Sequence, residues 1–245
     1  MAAESAPPVT MFSRTGARLS TAAAALFLLV LAALHLLEPE VDPSWHMISD
    51  YELGRYGFVM VLAFFSLAVS SASLFIAIRS QVRTVAGYIG LGCLLACAAA
   101  LLGGGIFTTD PITASGDQLT THGTLHGLSA LVGISSMPFA ATLISWSLTL
   151  NTAWATARGR LFGAAGLVWL SIVVFGVSIA VLLPQGGGRF GPEVVIGWQN
   201  RLMMVTYCVW LVTVGWPMTR LRVSDLGVRG RRRGKDLSLG RRVFG

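Results

Sequence analysis

Two imidazoles, His122 and His126, stand four residues apart in the stretch "THGTLHG", Thr121 to Gly127, where a long apolar run begins. At i and i+4 they share one helical face, so a helix running through both presents two nitrogen ligands in one direction. Zinc needs a third or fourth ligand, for which Asp50, Asp110, His46 and His35 are the candidates, and His122, His126 and Asp110 form the leading set. The glutamate of a metalloprotease HExxH is missing, because position 123 is Gly. Two other readings stand beside the metal. The histidines could be a polar helix start capped by Thr120 or Thr121, or metal-free acid and base groups.

A nucleophilic mechanism uses the same residues, with Ser49 or a water as nucleophile, His126 as base and Asp110 orienting it. Against it, Asp42 in "DPS" and Asp110 in "TDP" are ordinary turn formers, and Ser49 in "ISD" could be a helix N-cap. A bis-histidine haem could use only His35 with His126, and with no second pair at the other end transmembrane electron transfer is not expected. Arg201, in "GWQNRL", reads either as a snorkelling side chain or as the buried partner of Asp50, Asp110 or Glu193.

What must position these groups follows from composition. The chain of 245 residues is 54% hydrophobic and 12% charged, about half the charged fraction of a soluble domain. Spanning the hydrocarbon of a bilayer takes about 20 apolar residues in a helix. Six runs qualify, approximately Leu19 to Leu37, Tyr56 to Ile78, Val85 to Phe107, Thr124 to Leu150, Leu161 to Leu183 and Gly197 to Met218. The alternation of a membrane barrel is absent. The fold class is therefore an all-α integral membrane protein, a six-helix bundle over residues 19–218. Residues 1–18 are expected to be a disordered cytoplasmic N-terminus, with Met11 a second candidate start, and 219–245 a basic cytoplasmic tail.

The first run exceeds the 7 to 15 residues of a signal core and lacks a small-residue cleavage pattern after it, so it reads as a retained helix. Arg14, Arg18, Arg79, Arg83, Arg158 and Arg160 fall in one set of connections, and the tail from Arg220 to Arg242 joins them. Acids dominate the other set: Glu38, Glu40, Asp42, Asp50, Glu52, Asp110, Asp117 and Glu193. The positive-inside rule places both termini in the cytoplasm and all four histidines toward the opposite face. The net charge of +7 belongs largely to the tail. Such a cluster is drawn to anionic lipid head groups, and no nucleic-acid-binding signature accompanies it.

Cys93, Cys97 and Cys208 lie inside apolar runs and read as small packing residues. Gly87, Gly90, Gly92, Ala96, Ala100 and Gly104 in the third run, and Gly123, Gly127, Ala130 and Gly133 in the fourth, invite close helix approach. They place those two helices near the middle of the bundle. Pro138 is expected to bend the fourth helix.

Taken together, "HMISDYELGRYGFVM", "GGGIFTTDP", "THGTLHG" and "GWQNRL" resemble the bacterial and archaeal membrane family known as domain of unknown function 998. The resemblance spans nearly all of the chain from the first helix to the sixth. It implies the six-helix architecture and no established reaction. Members of that family often carry Pro where Thr108 stands and an acid where Asn200 stands, which weakens a required ion pair between position 200 and Arg201. The "ISD" before the second helix also resembles the Frag/DRAM/Sfk group of six-helix proteins, linked to lipid and membrane regulation.

The abundance of Arg, Ala and Gly matches GC-rich genomes, so the expected home is a bacterial plasma membrane. The leading expectation is a non-enzymatic protein that binds a membrane lipid or small polar ligand through His46, Ser49, Asp50, Asp110, His122, His126 and Arg201. The alternative is an intramembrane lipid hydrolase with His126, Asp110 and Ser49 as candidate catalytic groups. No cofactor is required by the pattern, and zinc is the one that the two imidazoles leave open. A transporter ranks third, since Pro138 has no counterpart in the other half.

Overall fold

The structure, a computed structural model, describes residues 10–220. The extreme N-terminus and the basic tail beyond Arg220 lie outside the described residues. Among the described residues, six helices are long and apolar enough to cross a membrane. They are α1 (Met11–Leu37), α2 (Gly57–Ile78), α3 (Val85–Ile106), α4 (Thr121–Thr149), α5 (Arg158–Gln185) and α6 (Gly197–Arg220). A short 3-10 helix, Ile48–Leu53, lies in the connection between α1 and α2.

The threonines set the helix starts. The Thr10, Thr84 and Thr120 hydroxyls accept from the backbone N–H of Ser13, Gly87 and Gly123, each satisfying a donor that the first turn leaves free. The Thr10 cap carries α1 back to Met11, so residues 11–18 belong to the helix and are not part of a disordered leader. Polar Ser13, Arg14 and Arg18 lower the hydropathy of that stretch without opposing helix formation. α4 begins at Thr121, so the helix runs through both His122 and His126.

Each helix packs on its neighbours in chain order, and α6 closes the ring against α1. α2 and α6 also touch across the middle. The centre of the bundle is therefore α2 and α6, not α3 and α4 as the small residues led us to expect. Of the apolar stretch of each helix, 56% is buried in α2 and in α6, against 39% in α3 and 28% in α4. Small residues report how closely two helices approach, and α3 and α4 do approach closely: a β-carbon at Gly90 would sit 2.9 Å from Leu143 Cβ, and one at Gly133 3.2 Å from Ala100 Cβ. Centrality is marked instead by buried hydroxyls. Ser70 donates to Ser20 O at 2.8 Å, Ser71 meets the Tyr207 hydroxyl at 2.9 Å, and Ser171 meets Thr206 at 2.8 Å. Interhelical bonds of this kind contribute about 0.6 to 2 kcal/mol each in an apolar bundle.

Helices adjacent in the ring run antiparallel, since Gly16 of α1 lies against Ser73 and Ala77 near the end of α2, and Arg14 Nε donates to Thr219 O at the end of α6. One end of the bundle thus carries Arg14, Arg79, Arg83, Arg158 and Arg160, and the other gathers the four histidines. We call the latter the polar end.

Candidate functional site

The connection between α1 and α2 folds down over the polar end and is held there by backbone. Gly197 N, at the start of α6, donates to Ser44 O at 2.9 Å, and a β-carbon at Gly197 would collide with the carbonyls of Pro43 and His46. Glu38, at the end of α1, is fully buried and accepts from Tyr56 N, with Gly54 leaving room for its carboxylate. At three residues per turn, the 3-10 helix puts Ser49 and Glu52 on one face and Asp50 and Leu53 on another. Asp50 Oδ2 accepts from Met47 N at 3.1 Å, so Asp50 and not Ser49 satisfies the start of this helix.

Arg201 is buried against this lid at 4% exposure. Its Nε donates to His35 Nε2 at 2.9 Å, Nη1 to His46 O at 2.7 Å and to Gly197 O at 3.1 Å, and Nη2 to the Tyr51 hydroxyl at 3.2 Å. Neither reading of Arg201 from sequence holds: it is buried and does not snorkel, and among the described residues no Asp or Glu lies within ion-pair distance of it. All four acceptors are neutral, and the rings of Tyr51 and Trp198 lie 5.5 and 5.9 Å from the guanidinium carbon. Because His35 Nε2 accepts from Arg201, its proton sits on Nδ1, which donates to Leu31 O at 2.7 Å. Both ring nitrogens are engaged, so His35 offers no axial ligand to a haem.

His126 turns inward from α4 to α3, its Nδ1 2.8 Å from Phe107 O. The carboxylate beside it is Glu52, whose Oε2 lies 3.6 Å from Nδ1 and accepts from Thr109 N at 3.0 Å. The Glu52 side chain is 1% exposed, and its Oε1 is buried without a hydrogen-bond partner. Burial pushes the Glu52 carboxyl up to about 7, the Thr109 N–H opposing it. Asp50 is likewise pushed up to about 6 by burial, with His46 foremost among the groups that pull it back down.

Asp110 has a different task from the one the sequence led us to expect. Its Oδ2 accepts from Thr120 N and its Oδ1 from Thr120 Oγ1, both at 2.8 Å, and a β-carbon at Gly123 would collide with its carboxylate. It therefore holds the cap of α4, where a negative charge also suits the helix dipole, and does not orient His126. His122 is exposed, edge-on to Phe107 with ring centroids 5.8 Å apart. His122, His126 and Asp110 are consequently not assembled as ligands, although both histidines lie on one helix. Among the described residues no three His, Cys, Asp or Glu side chains form a group that would hold a metal ion.

Two cavities open at this end. One, of about 250 Å³, lies on the far side of the lid among Trp45, His46, Asp50 and Gly54. The other, of about 100 Å³, runs from the lid into the bundle between α2, α3, α4 and α6. Its walls are apolar, with Phe64, Leu101, Met137, Met203 and Met204 among them, and its polar groups include Ser49, His126 and Asn200. Asn200 is 5% exposed, and its Oδ1 accepts from Ile48 N at 3.0 Å.

Of the seven ligand candidates, Ser49 and His126 line the inner cavity and His46 and Asp50 the second one. Arg201 holds the lid between them, Asp110 caps α4 and His122 stands apart. Sequence reasoning missed Glu52 and Glu38 as buried groups and gave Asn200 no role. The signal for Glu52 is its spacing of three from Ser49 in a segment too short for an α-helix.

These features define a bundle whose six long helices are apolar enough to cross a membrane, capped at one end by a buried arginine and a folded loop, with an apolar cavity beneath the loop. The chain belongs to the family described as "Protein of unknown function (DUF998)", whose model matches residues 21–217. None of the curated proteins matches it, and no solved structure does.

Proposed function

We propose that this protein sits in a bacterial plasma membrane with both termini in the cytoplasm, and that it binds an amphiphile, a membrane lipid foremost, in the cavity between α2, α3, α4 and α6. The observation that carries this reading is the composition of the cavity wall: apolar over most of its length, with Ser49, His126 and Asn200 as polar groups near the lid. That is the pairing of chemistries an acyl chain with a polar head requires. The distribution of arginines and acids supports an extracytoplasmic polar end. The tail from Arg220 to Arg242 would draw anionic head groups on the other face. Neither nucleic acid nor a metal enters the reading.

The test is photocrosslinking in nanodiscs with a phospholipid carrying a diazirine in its acyl chain. Labelled peptides should include Met137 of α4 and Met203 of α6, and Ala130→Phe, which places a ring at the cavity mouth, should lower that labelling several-fold. Labelling confined to outward-facing positions such as Leu170 and Val177, and indifferent to Ala130→Phe, would sink the proposal.

A further inference from the structure

The inner cavity contains the parts of an acyl-transfer site. His126 Nδ1 faces the Phe107 carbonyl at 2.8 Å, and since a carbonyl only accepts, the proton is on Nδ1 and the lone pair on Nε2. Glu52 lies 3.6 Å from the same Nδ1, where a carboxylate stabilises an imidazolium as it forms. Ser49 stands one 3-10 turn before Glu52, on the same face of its helix, and lines the same cavity as His126. Its hydroxyl makes no hydrogen bond within the described residues. Asn200 completes the set. The Ile48 N–H fixes its Oδ1, so its amide N–H2 is the free half of the side chain, and Asn200 too lines the cavity.

Resting on the reading of the cavity as an amphiphile site, we propose that the protein hydrolyses a carboxylic ester of a lipid there. Ser49 and His126 are the catalytic residues, Asn200 is the oxyanion donor, and Glu52 is the positioning residue that Asp110 cannot be. Ser49 Oγ bonds to the ester carbonyl carbon as His126 Nε2 takes its proton, and the carbonyl electron pair moves to an oxyanion that Asn200 N–H holds. Collapse breaks the bond to the alcohol oxygen, which takes the proton from His126. Water then attacks the acyl-serine, His126 accepts its proton, and the C–Oγ bond breaks as Oγ is reprotonated. The sum is ester plus water giving carboxylic acid plus alcohol, with the chain unchanged. The apolar wall of Met137, Met203 and Met204 is what selects an acyl chain over a water-soluble ester.

The experiment treats the full chain in nanodiscs with a long-chain alkyl fluorophosphonate, which phosphonylates activated serines, and separately with a diazirine-bearing ether phospholipid, which cannot be hydrolysed. The expected result is a single adduct mapped to Ser49 in the wild type, and ether-lipid capture at Met203. The adduct should form about 10²-fold more slowly in Glu52→Gln, with part of the rate recovered in Glu52→Asp. A merely structural Glu52 would leave the rate of adduct formation unchanged in folded Glu52→Gln. Ether-lipid capture with no adduct on Ser49 would overturn the esterase and leave the binding site standing. Loss of both would overturn both.

Discussion

Arg201→Lys is expected to destabilise the protein almost as much as Arg201→Met, because the guanidinium acts through its shape as well as its charge. Four of its N–H groups reach acceptors on three separate segments: His35 on α1, His46 and Tyr51 in the first connection, and Gly197 on α6. A lysine has three donors on one nitrogen and cannot reach all three segments at once. Losing two bonds from a charged donor, at about 1.5 to 3 kcal/mol each before relaxation, puts the cost of Arg201→Lys near 3 kcal/mol. Arg201→Met removes a buried charge, which relieves desolvation, and leaves the His35 Nε2 and His46 O acceptors without a donor. The two unsatisfied acceptors, at about 1 to 3 kcal/mol each, put its net cost near 4 kcal/mol. Unfolding in mild detergent, followed by the fluorescence of Trp198 and the other tryptophans, measures both variants. If Arg201→Lys unfolds within about 1 kcal/mol of the wild type while Arg201→Met collapses, charge alone holds the lid and the argument from the fork is wrong.

Further outcomes follow from the same contacts. Gly123→Ala, whose β-carbon meets the Asp110 carboxylate, should cost about 1 to 2 kcal/mol through the lost cap. Gly127→Ala, four residues on with open space around it, should be neutral or stabilising by up to about 1 kcal/mol; thermal unfolding separates the two. Burial raises the Asp50 and Glu52 carboxyls from 3.8 to about 6 and from 4.5 to about 7, so the folded chain holds protons that the unfolded chain releases. Stability from these groups is full below their unfolded values and is lost as pH rises through 6 to 7. Thermal midpoints should therefore fall between about pH 5 and about pH 8, and Glu52→Gln should flatten that slope; a slope of equal size in the variant would contradict the assignment to Glu52. Ser115→Cys, in the exposed connection between α3 and α4, should react with a membrane-impermeant maleimide on intact cells, and Ala155→Cys at the arginine end should not. The opposite pattern would reverse the topology.

The six helices were legible because a bilayer imposes one solution, about 20 apolar residues per crossing, and composition alone displays it. Their boundaries were less so. Ser13, Arg14 and Arg18 dilute the hydropathy of α1 without disturbing its backbone, and the signal that places its start is the Thr10 cap. The centre of the bundle was misread for a different reason. Glycine and alanine in α3 and α4 record close contact between that pair, whereas the serines Ser70, Ser71 and Ser73 of α2 record burial on a shared core.

The exchange of roles between Asp110 and Glu52 shows where sequence reasoning on such a site loses its grip. Asp110 and His126 flank one connection, so proximity in the chain paired them. The carboxylate that reaches His126 instead comes from the α1–α2 connection, brought there by closure of the lid over α6. No periodicity in residues 38–56 could reveal that closure, because most of its fastenings end on the backbone of the connection: Gly197 N donates to Ser44 O, Arg201 to His46 O, and Ile48 N to Asn200 Oδ1. What the sequence does carry is a pair of glycines opposite the fastenings, Gly54 beside Glu38 and Gly197 beside His46 O, with Gly123 beside Asp110 doing the same at the α4 cap. At these positions glycine marks a place where a carboxylate or carbonyl comes too close for a β-carbon. Scanning Gly54 and Gly197 with alanine therefore tests the lid without touching a proposed catalytic group. If both variants bind and label as the wild type does, the lid is not what shapes the cavity.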